Sequence, residues 1–249
     1  PLAERADLLV LDTFDHACFG MGALAKVDYA ARHLLRPGAR VLPARVEMRA
    51  QLAEFRLGEV CGFDLSAMNA YRWSPYADKV DLSRVPWKAL SASFSVCTVD
   101  LQARAGAGGR DEAGELWEMD EEMEIPATAG GTWNAVVCWF KLQLDEAATL
   151  GSRAEPGCQL EGEAAVAGSW QQAVFYLDEL PLAAGDSVAL RVRRDTSQVH
   201  FASSPPQARA RHAWIPSWHY DMIHDAARNA AYERAARRAI ARRRAAAGG

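Results

Sequence analysis

The sequence contains no apolar run near the length of a bilayer span. Leu8–Leu11 and Ala135–Phe140 typify its hydrophobic stretches, far short of the roughly 20 residues a membrane helix needs. Its five cysteines, Cys18, Cys61, Cys97, Cys138 and Cys158, are scattered and odd in number, with no C-x-x-C pair. That pattern argues against a disulfide framework or a zinc site and points to a reducing, intracellular compartment, cytoplasmic or nuclear. His16, His33, His200, His212 and His224 share no spacing suited to a metal or a catalytic triad, so each is read as structural. The chain also lacks an initiator methionine, and Pro1-Leu2-Ala3-Glu4-Arg5 begins no signal peptide. It is therefore expected to start inside a longer polypeptide.

What is present suits a folded globular protein. With 249 residues, 50% of them hydrophobic and 24% charged, there is room for one large domain or two small ones around a sizeable core. The formal net charge of -4 conceals an asymmetry. From Arg209 onward nine arginines face Asp221, Asp225 and Glu233, a surplus of +6 that leaves -10 on the rest. The acidic part suits a cationic substrate. The Ala/Arg tail reads as a solvated helix face rather than a nucleic-acid site.

Ala6 to Asp12 is a short apolar run closed by an acid, the form of a buried parallel strand whose carboxyl end carries a functional group. Leu24, Val27, Ala31 and Leu34-Leu35 follow at helical spacing, with a stop at Arg36-Pro37-Gly38. Strand, loop and helix in that order imply the last part of an α/β domain, with ligand chemistry in the loop. After Pro43 the period changes. Val46, Met48, Ala50 and Leu52 alternate with polar residues, and Phe94–Val99, Trp133–Leu144, Gln171–Leu177 and Ser187–Arg193 are further β-rich runs. Glycine-rich turns at 105–109, 129–131 and 183–186 separate them, which predicts a sandwich or barrel. Between the first two strands, Gly62–Leu90 is not strand-like. It carries Trp73, Tyr76 and Trp87, which suits a packed arm, an ordinary surface excursion being the alternative. Ser203-Ser204-Pro205-Pro206 opens a linker, and His219–Arg244 is helical by its alanine and arginine content.

Leu11 to Leu24 resembles the acidic "double-E" loop of protein arginine methyltransferases, especially the tandem-module, type III branch. Cys61 to Ser66 resembles the family's Y-G-F-D-M-S motif, Asn134 to Phe140 its H-A-x-x-x-W-F strand, and Gly168 to Tyr176 its T-H-W-x-Q-x-V-F-Y segment. Each is weak alone, but the four stand in the family's order. Trp218 to Tyr232 is similar to the H-x-x-M-L-x-D-x-x-R-x-x-x-Y helix that opens a module, whereas the family's V-L-D-x-G-x-G-x-G strand and loop occur nowhere.

The resemblance implies a mostly β chain with an α/β remnant. Residues 1–43 are expected to end a Rossmann-like methyltransferase domain. Residues 44–202 would form a substrate-binding β-barrel with a helical dimerisation arm at about 62–90. A linker at 203–217 would lead to the opening helix of a second, truncated module at 218–249, making the chain a fragment. Methyl transfer from S-adenosylmethionine to protein arginine is the implied activity of the parent. The implied partners are a protein with an arginine-rich segment and a methyltransferase module docked on the arm.

Arginine's guanidinium stays protonated at physiological pH, and its nitrogen is a poor nucleophile until something localises the charge. Two carboxylates on facing sides can do so with bidentate hydrogen bonds that also aim one nitrogen at the methyl. By resemblance the first acid falls on Asp12 and the second on Met21, which has neither charge nor more than a weak acceptor. Asp15 is either a substitute acid or a turn residue. Ser169 stands where the family has the histidine of its T-H-W segment, next to Trp170, which either flanks the arginine pocket or belongs to the core. His219, Met222 and Arg228 match cofactor-contacting positions, Arg228 toward the carboxylate of S-adenosylmethionine and Met222 near its sulfonium. With no glycine-rich loop to close a pocket, tight cofactor binding by this chain is not expected. The module should thus be impaired, and a pseudoenzyme or scaffold that binds a protein partner is the alternative. An unrelated carbohydrate-binding β-sandwich fits less well, because it predicts neither the strand–helix unit before Pro43 nor the helix after the linker.

Overall fold

The computed structural model describes residues 4–56, 58–60, 62–71, 77–106, 117–153, 159–160, 163–164, 170–204 and 218–247. The chain forms two compact units, one of residues 1–55 with 75–210 and one of 56–74 with 211–249.

The larger unit opens with strand β1 (Ala6–Val10), helix α1 (Ala23–His33) and strand β2 (Leu35–Leu42). β1 and β2 pair in parallel, which requires a crossover, and α1 supplies it. α1 buries Ala23, Leu24, Val27, Ala30 and Ala31, the i, i+1, i+4, i+7, i+8 stripe of a helix lying on a core. The helix stops two residues earlier than the spacing predicts, and the supposed stop signal lies inside a strand. Ala6 faces Leu35 and Leu8 faces Arg40, so one residue of β1 opposes four of β2. That irregularity absorbs Pro37, which has no N–H to give, and Gly38, whose φ of 79° is glycine territory.

β3 (Arg45–Glu54) follows, then the short β6 (Asp78–Val80) and β7 (Lys88–Ala89), β8 (Phe94–Asp100), helix α2 (Leu101–Gly106), β9 (Met119–Pro126), β10 (Gly131–Gln143), β11 (Thr149–Gly151), β14 (Gln172–Leu182), β15 (Ser187–Arg194) and β16 (Val199–Ser203). Two-residue strands β12 (Gln159–Leu160) and β13 (Glu163–Ala164) pair with each other. A seven-stranded antiparallel sheet runs β6-β14-β10-β3-β7, with β8 also on β3 and β11 also on β10, and a three-stranded sheet runs β16-β15-β9. The sheets meet at two seams. Ser91 bridges to Ala127 at one, and the Phe175 and Phe201 rings meet edge to face at 4.9 Å at the other. They enclose one core holding Val46, Met48, Leu52, Val136, Phe140, Leu190 and Val192. The chain is thus mostly β, a barrel of antiparallel strands with a small α/β piece.

The five strands predicted after Pro43 are all present, and β9, β16 and the short β11 to β13 add to them. β9 reads Met119-Asp120-Glu121-Glu122-Met123-Glu124-Ile125, too acidic to announce a strand. It is held by charge across the ladder, where Arg191 reaches Asp120 at 2.7 Å and Arg193 reaches it at 3.5 Å, the kind of cross-strand pair that favours a sheet. The expectation that 62–90 is not strand-like is corrected at 63–64, which pair with 59–60, at 78–80, where β6 pairs with β14, and at 88–89, where β7 pairs with β3. Strands of two or three residues carry no readable period.

The smaller unit contains β4 (Glu59–Val60) paired with β5 (Phe63–Asp64), a 3-10 turn at Ser66–Tyr71, and helices α3 (Trp218–His224) and α4 (Ala226–Ala247). In the Cys61–Ser66 motif, Asp64 accepts from both the backbone N–H and the hydroxyl of Ser66, which starts the 3-10 turn. The Ser66 hydroxyl holds the Asp64 carboxyl below its ordinary pKa. The predicted continuous helix at 219–244 is broken at Asp225. The Asp225 side chain accepts from Arg228 N–H at 2.9 Å, and its carbonyl from Asn229 N–H at 3.0 Å, so Asp225 is the N-cap of α4. Within the described arm, the one helical turn is this 3-10 element rather than an α-helix.

Candidate functional site

The loop between β1 and α1 begins where Leu11 N–H donates to Leu42 O and ends where Gly22 N–H donates to Phe19 O. It therefore emerges from the carboxyl end of a parallel strand, where α/β folds place their chemistry. Asp12 is exposed, its carboxylate facing water. Asp15 is spent on the loop itself. Its Oδ1 accepts Gly20 N–H at 3.1 Å and its carbonyl accepts Cys18 N–H at 2.9 Å. A Cβ on Gly20 would stand 2.1 Å from Asp15 Oδ2, so the clasp needs glycine there. These contacts are those of a turn residue.

Met21 is 53% exposed. Lys26, one turn into α1, donates its Nζ to Met21 O at 2.8 Å. The position that resembles the second acid thus carries an uncharged thioether with an ammonium beside it. A cation there repels a guanidinium rather than gripping it.

Trp170 fastens this loop to the barrel. Its Nε1 donates to Phe14 O at 3.1 Å, and its ring packs on Phe140 at 5.2 Å, while Phe140 also meets Phe14 at 6.1 Å. The open choice between pocket wall and core resolves into a junction residue that is half-buried. His16 adds a second tie, its Nε2 lying 3.1 Å from Ala77 O. Ser169 lies outside the described residues, as do Trp73 and Tyr76. Trp170→Phe keeps the ring and removes the donor, so it is expected to cost about 1 kcal/mol of stability, the net value of one such bond, and to speed amide exchange at 14–20. Unchanged exchange there would show that the junction does not order the loop.

A network absent from the sequence reading holds α1 in place. Asp28 of α1 is an ion-pair partner of Arg104 Nε of α2 and accepts Trp117 Nε1 at 2.7 Å. Asp28 and Arg104 are each only 6% exposed. Arg194 of β15 donates its Nε to Trp117 O at 2.8 Å and its guanidinium lies 6.0 Å from the Phe19 ring. Gln102 completes the staple, accepting Val41 N–H at 2.8 Å and donating to Ala39 O at 2.9 Å along the edge of β2. No periodicity signals such contacts, because the partners stand 76 and 89 residues apart.

Burial, then the neighbouring Cys97, raises the Cys18 thiol well above its ordinary pKa, and burial does the same for Cys138. A buried neutral thiol is inert, so neither acts as a nucleophile. Among the described residues no three His, Cys, Asp or Glu side chains gather into a metal-holding group, and no helix is long and apolar enough to cross a membrane.

The residues matched to cofactor contacts belong to the smaller unit. His219 starts within α3, and Met222 is half-buried. Arg228 is exposed, donates to Met222 O at 3.3 Å and lies 5.5 Å from the Tyr232 ring centroid. Its guanidinium is therefore engaged by the preceding helix and by a ring of its own.

The family model of the arginine methyltransferase oligomerization subdomain matches residues 48–204. The chain is 26% identical over 219 residues to protein arginine N-methyltransferase 7 of Danio rerio, covering 81% of this chain and 31% of that protein. It is 29% identical over 199 residues to arginine N(omega)-methyltransferase of Streptomyces achromogenes subsp. streptozoticus, covering 77% and 50%. With human protein arginine N-methyltransferase 9 the identity is 27% over 231 residues, covering 77% and 25%. The chain thus spans between a quarter and a half of the length of these relatives. Among solved structures, the PRMT1 enzyme–prozyme heterotetrameric complex of Trypanosoma brucei with AdoHcy matches with a TM-score of 0.52 at 18% identity, over 77% of this chain and 59% of that one, a likeness of fold.

Proposed function

The chain belongs to the protein arginine methyltransferase family, and on that premise we propose that it is the substrate-positioning part of a module whose own methyl transfer is impaired. Residues 1–43 read as the end of a Rossmann-like domain and 44–202 as the barrel that presents an arginine-rich segment of a protein. The parent protein moves a methyl group from S-adenosylmethionine to arginine in an intracellular compartment. His219, Met222 and Arg228 belong to the cofactor side of a second module.

The observation that carries this reading is the end of the acidic loop. Asp12 offers one carboxylate, while Met21 offers none and has Lys26 on its carbonyl. A guanidinium held from one side keeps its charge delocalised, and its nitrogens are not aimed. A scaffold that binds a protein partner is the second reading. Phe63, 66% exposed in the described arm, favours it, as does a match to a subdomain named for oligomerization.

The test is to incubate this chain with S-adenosylmethionine and an arginine-rich peptide, following methylarginine by mass spectrometry and peptide binding by calorimetry. Binding without methylation is expected. Methylarginine would overturn the impaired reading, and absence of peptide binding would leave the scaffold.

A further inference from the structure

Successive residues of a strand point to opposite faces of the sheet, and β10 uses both. Phe140 faces the core and Trp170, whereas Trp139 faces outward, opposite Arg49 of β3. Trp139 is nonetheless 1% exposed, because other segments cover it. Arg153, two residues past β11, lies with its guanidinium carbon 4.3 Å from the Trp139 ring centroid and 5.2 Å from that of Trp87. One cation is thus flanked by two indoles, the arrangement that aromatic cages use for weakly hydrated cations. Gln51 supplies a polar contact, its Oε1 3.4 Å from Arg153 Nη1.

The walls are set without the arginine. Trp87 Nε1 donates to Leu82 O at 3.2 Å, and Gln51 Nε2 donates to Ser91 O at 2.7 Å, which leaves Oε1 turned to the cation. Trp139 is fixed by the sheet. Its Nε1 is buried with no hydrogen-bond partner among the described residues, an unusual state for a buried indole. Arg153 fills the cleft without meeting that need, since a guanidinium has no acceptor. A peptide arginine brings the same cation together with backbone carbonyl oxygens. Trp87 and Arg153 are both half-buried, so the cleft has an open side.

We propose that the cleft between Trp87 and Trp139 is a second guanidinium-binding site, on the sheet face opposite the Phe14–Phe140–Trp170 junction, occupied at rest by Arg153 and taken over by an arginine side chain of a bound peptide. The site is independent of whether the chain transfers a methyl group. Its role is retention of an arginine-rich segment at a point separate from the Asp12 loop, with Arg153 as the internal competitor that sets the affinity.

The probe is N-acetyl-arginine amide, titrated into the full chain and its variants while tryptophan fluorescence is followed. Arg153→Ala is expected to bind it about tenfold more tightly than the unaltered chain, the scale of a partly desolvated cation–π contact. Adding Trp87→Ala should abolish that gain, and N-acetyl-lysine amide should bind more weakly than the arginine probe. Equal affinity with and without Arg153, or a gain that survives Trp87→Ala, would overturn the site. If Arg153→Ala does not fold, the unaltered chain decides by magnetic resonance. The Arg153 Nε–H signal, shifted by the two rings, should move to the free-arginine position as the probe saturates, and a signal that stays put would overturn the proposal.

Discussion

Asp28→Ala is expected to lower the stability of the larger unit by about 3–5 kcal/mol, the usual loss when one member of a buried ion pair is deleted. With a urea slope near 2 kcal/mol/M, the midpoint should fall by about 1.5–2.5 M. The size follows from what is left behind. Arg104 is 6% exposed, so its charge cannot turn to water, and its Nη2 already lacks a hydrogen-bond partner among the described residues. The Trp117 N–H, 2.7 Å from Asp28 Oδ2, loses its acceptor as well, at about 1–3 kcal/mol if it stays buried. The contrast that isolates the mechanism is Asp28→Leu together with Arg104→Met. Removing both charges discards the desolvation cost along with the attraction, so the double variant should lose less than the single one. A loss under about 1 kcal/mol in the single variant would mean that water reaches the pair.

The second large effect concerns repair of the loop. In the full-length protein, Met21→Glu combined with Asp12→Glu is expected to raise methyl transfer by this module, measured as methylarginine formed per minute. Truncating one partner of a buried, hydrogen-bonded charge pair costs roughly 2–5 kcal/mol at a comparable interface, or about 30- to 5000-fold in rate if the pair acts in the transition state. Lys26 sets the lower part of that range. Its ammonium, 2.8 Å from Met21 O, is placed to pair with a new carboxylate at the same residue and divert it from substrate. Adding Lys26→Gln should therefore raise the rate further, whereas in the chain with Met21 intact it should change little. An unchanged rate in the triple variant would show that the acids are not what this module lacks.

The parts of this fold that were legible are those where local pattern and tertiary role agree. β3 alternates Val46, Met48, Ala50 and Leu52 against Glu47, Arg49 and Gln51, and the structure buries the first set in the core. The loop after β1 was legible from the acid that closes the strand, but the expected burial of that strand is corrected: it pairs in parallel with β2, yet Leu8 is 48% and Val10 67% exposed, because an apolar run does not say which of its faces is covered. β2 was hidden because Pro37 and Gly38 are helix terminators everywhere except at an irregular strand edge. β9 was hidden because its acids are stabilised by arginines on a strand some 70 residues away, and β-propensity measures surroundings as much as the residue. In the candidate site, Trp170 was visible through its motif, yet its bond to Phe14 O depends on a contact across 156 residues. Asp28, Arg104 and Arg153 carried no signal at all, because a lone charge in a helix or turn looks solvated until its partners are known.

Asp15 and Gly20 also constrain the order in which this loop could change over generations. Any side chain at position 20 collides with the Asp15 carboxylate, and release of Asp15 to serve as an acid opens the clasp that makes glycine necessary. Position 20 can enlarge only once Asp15 has let go, whereas Asp15 can change with Gly20 in place, since a glycine crowds no neighbour. Position 21 lies outside this ordering: Met21 is 53% exposed, so a single exchange to an acid there meets no steric veto.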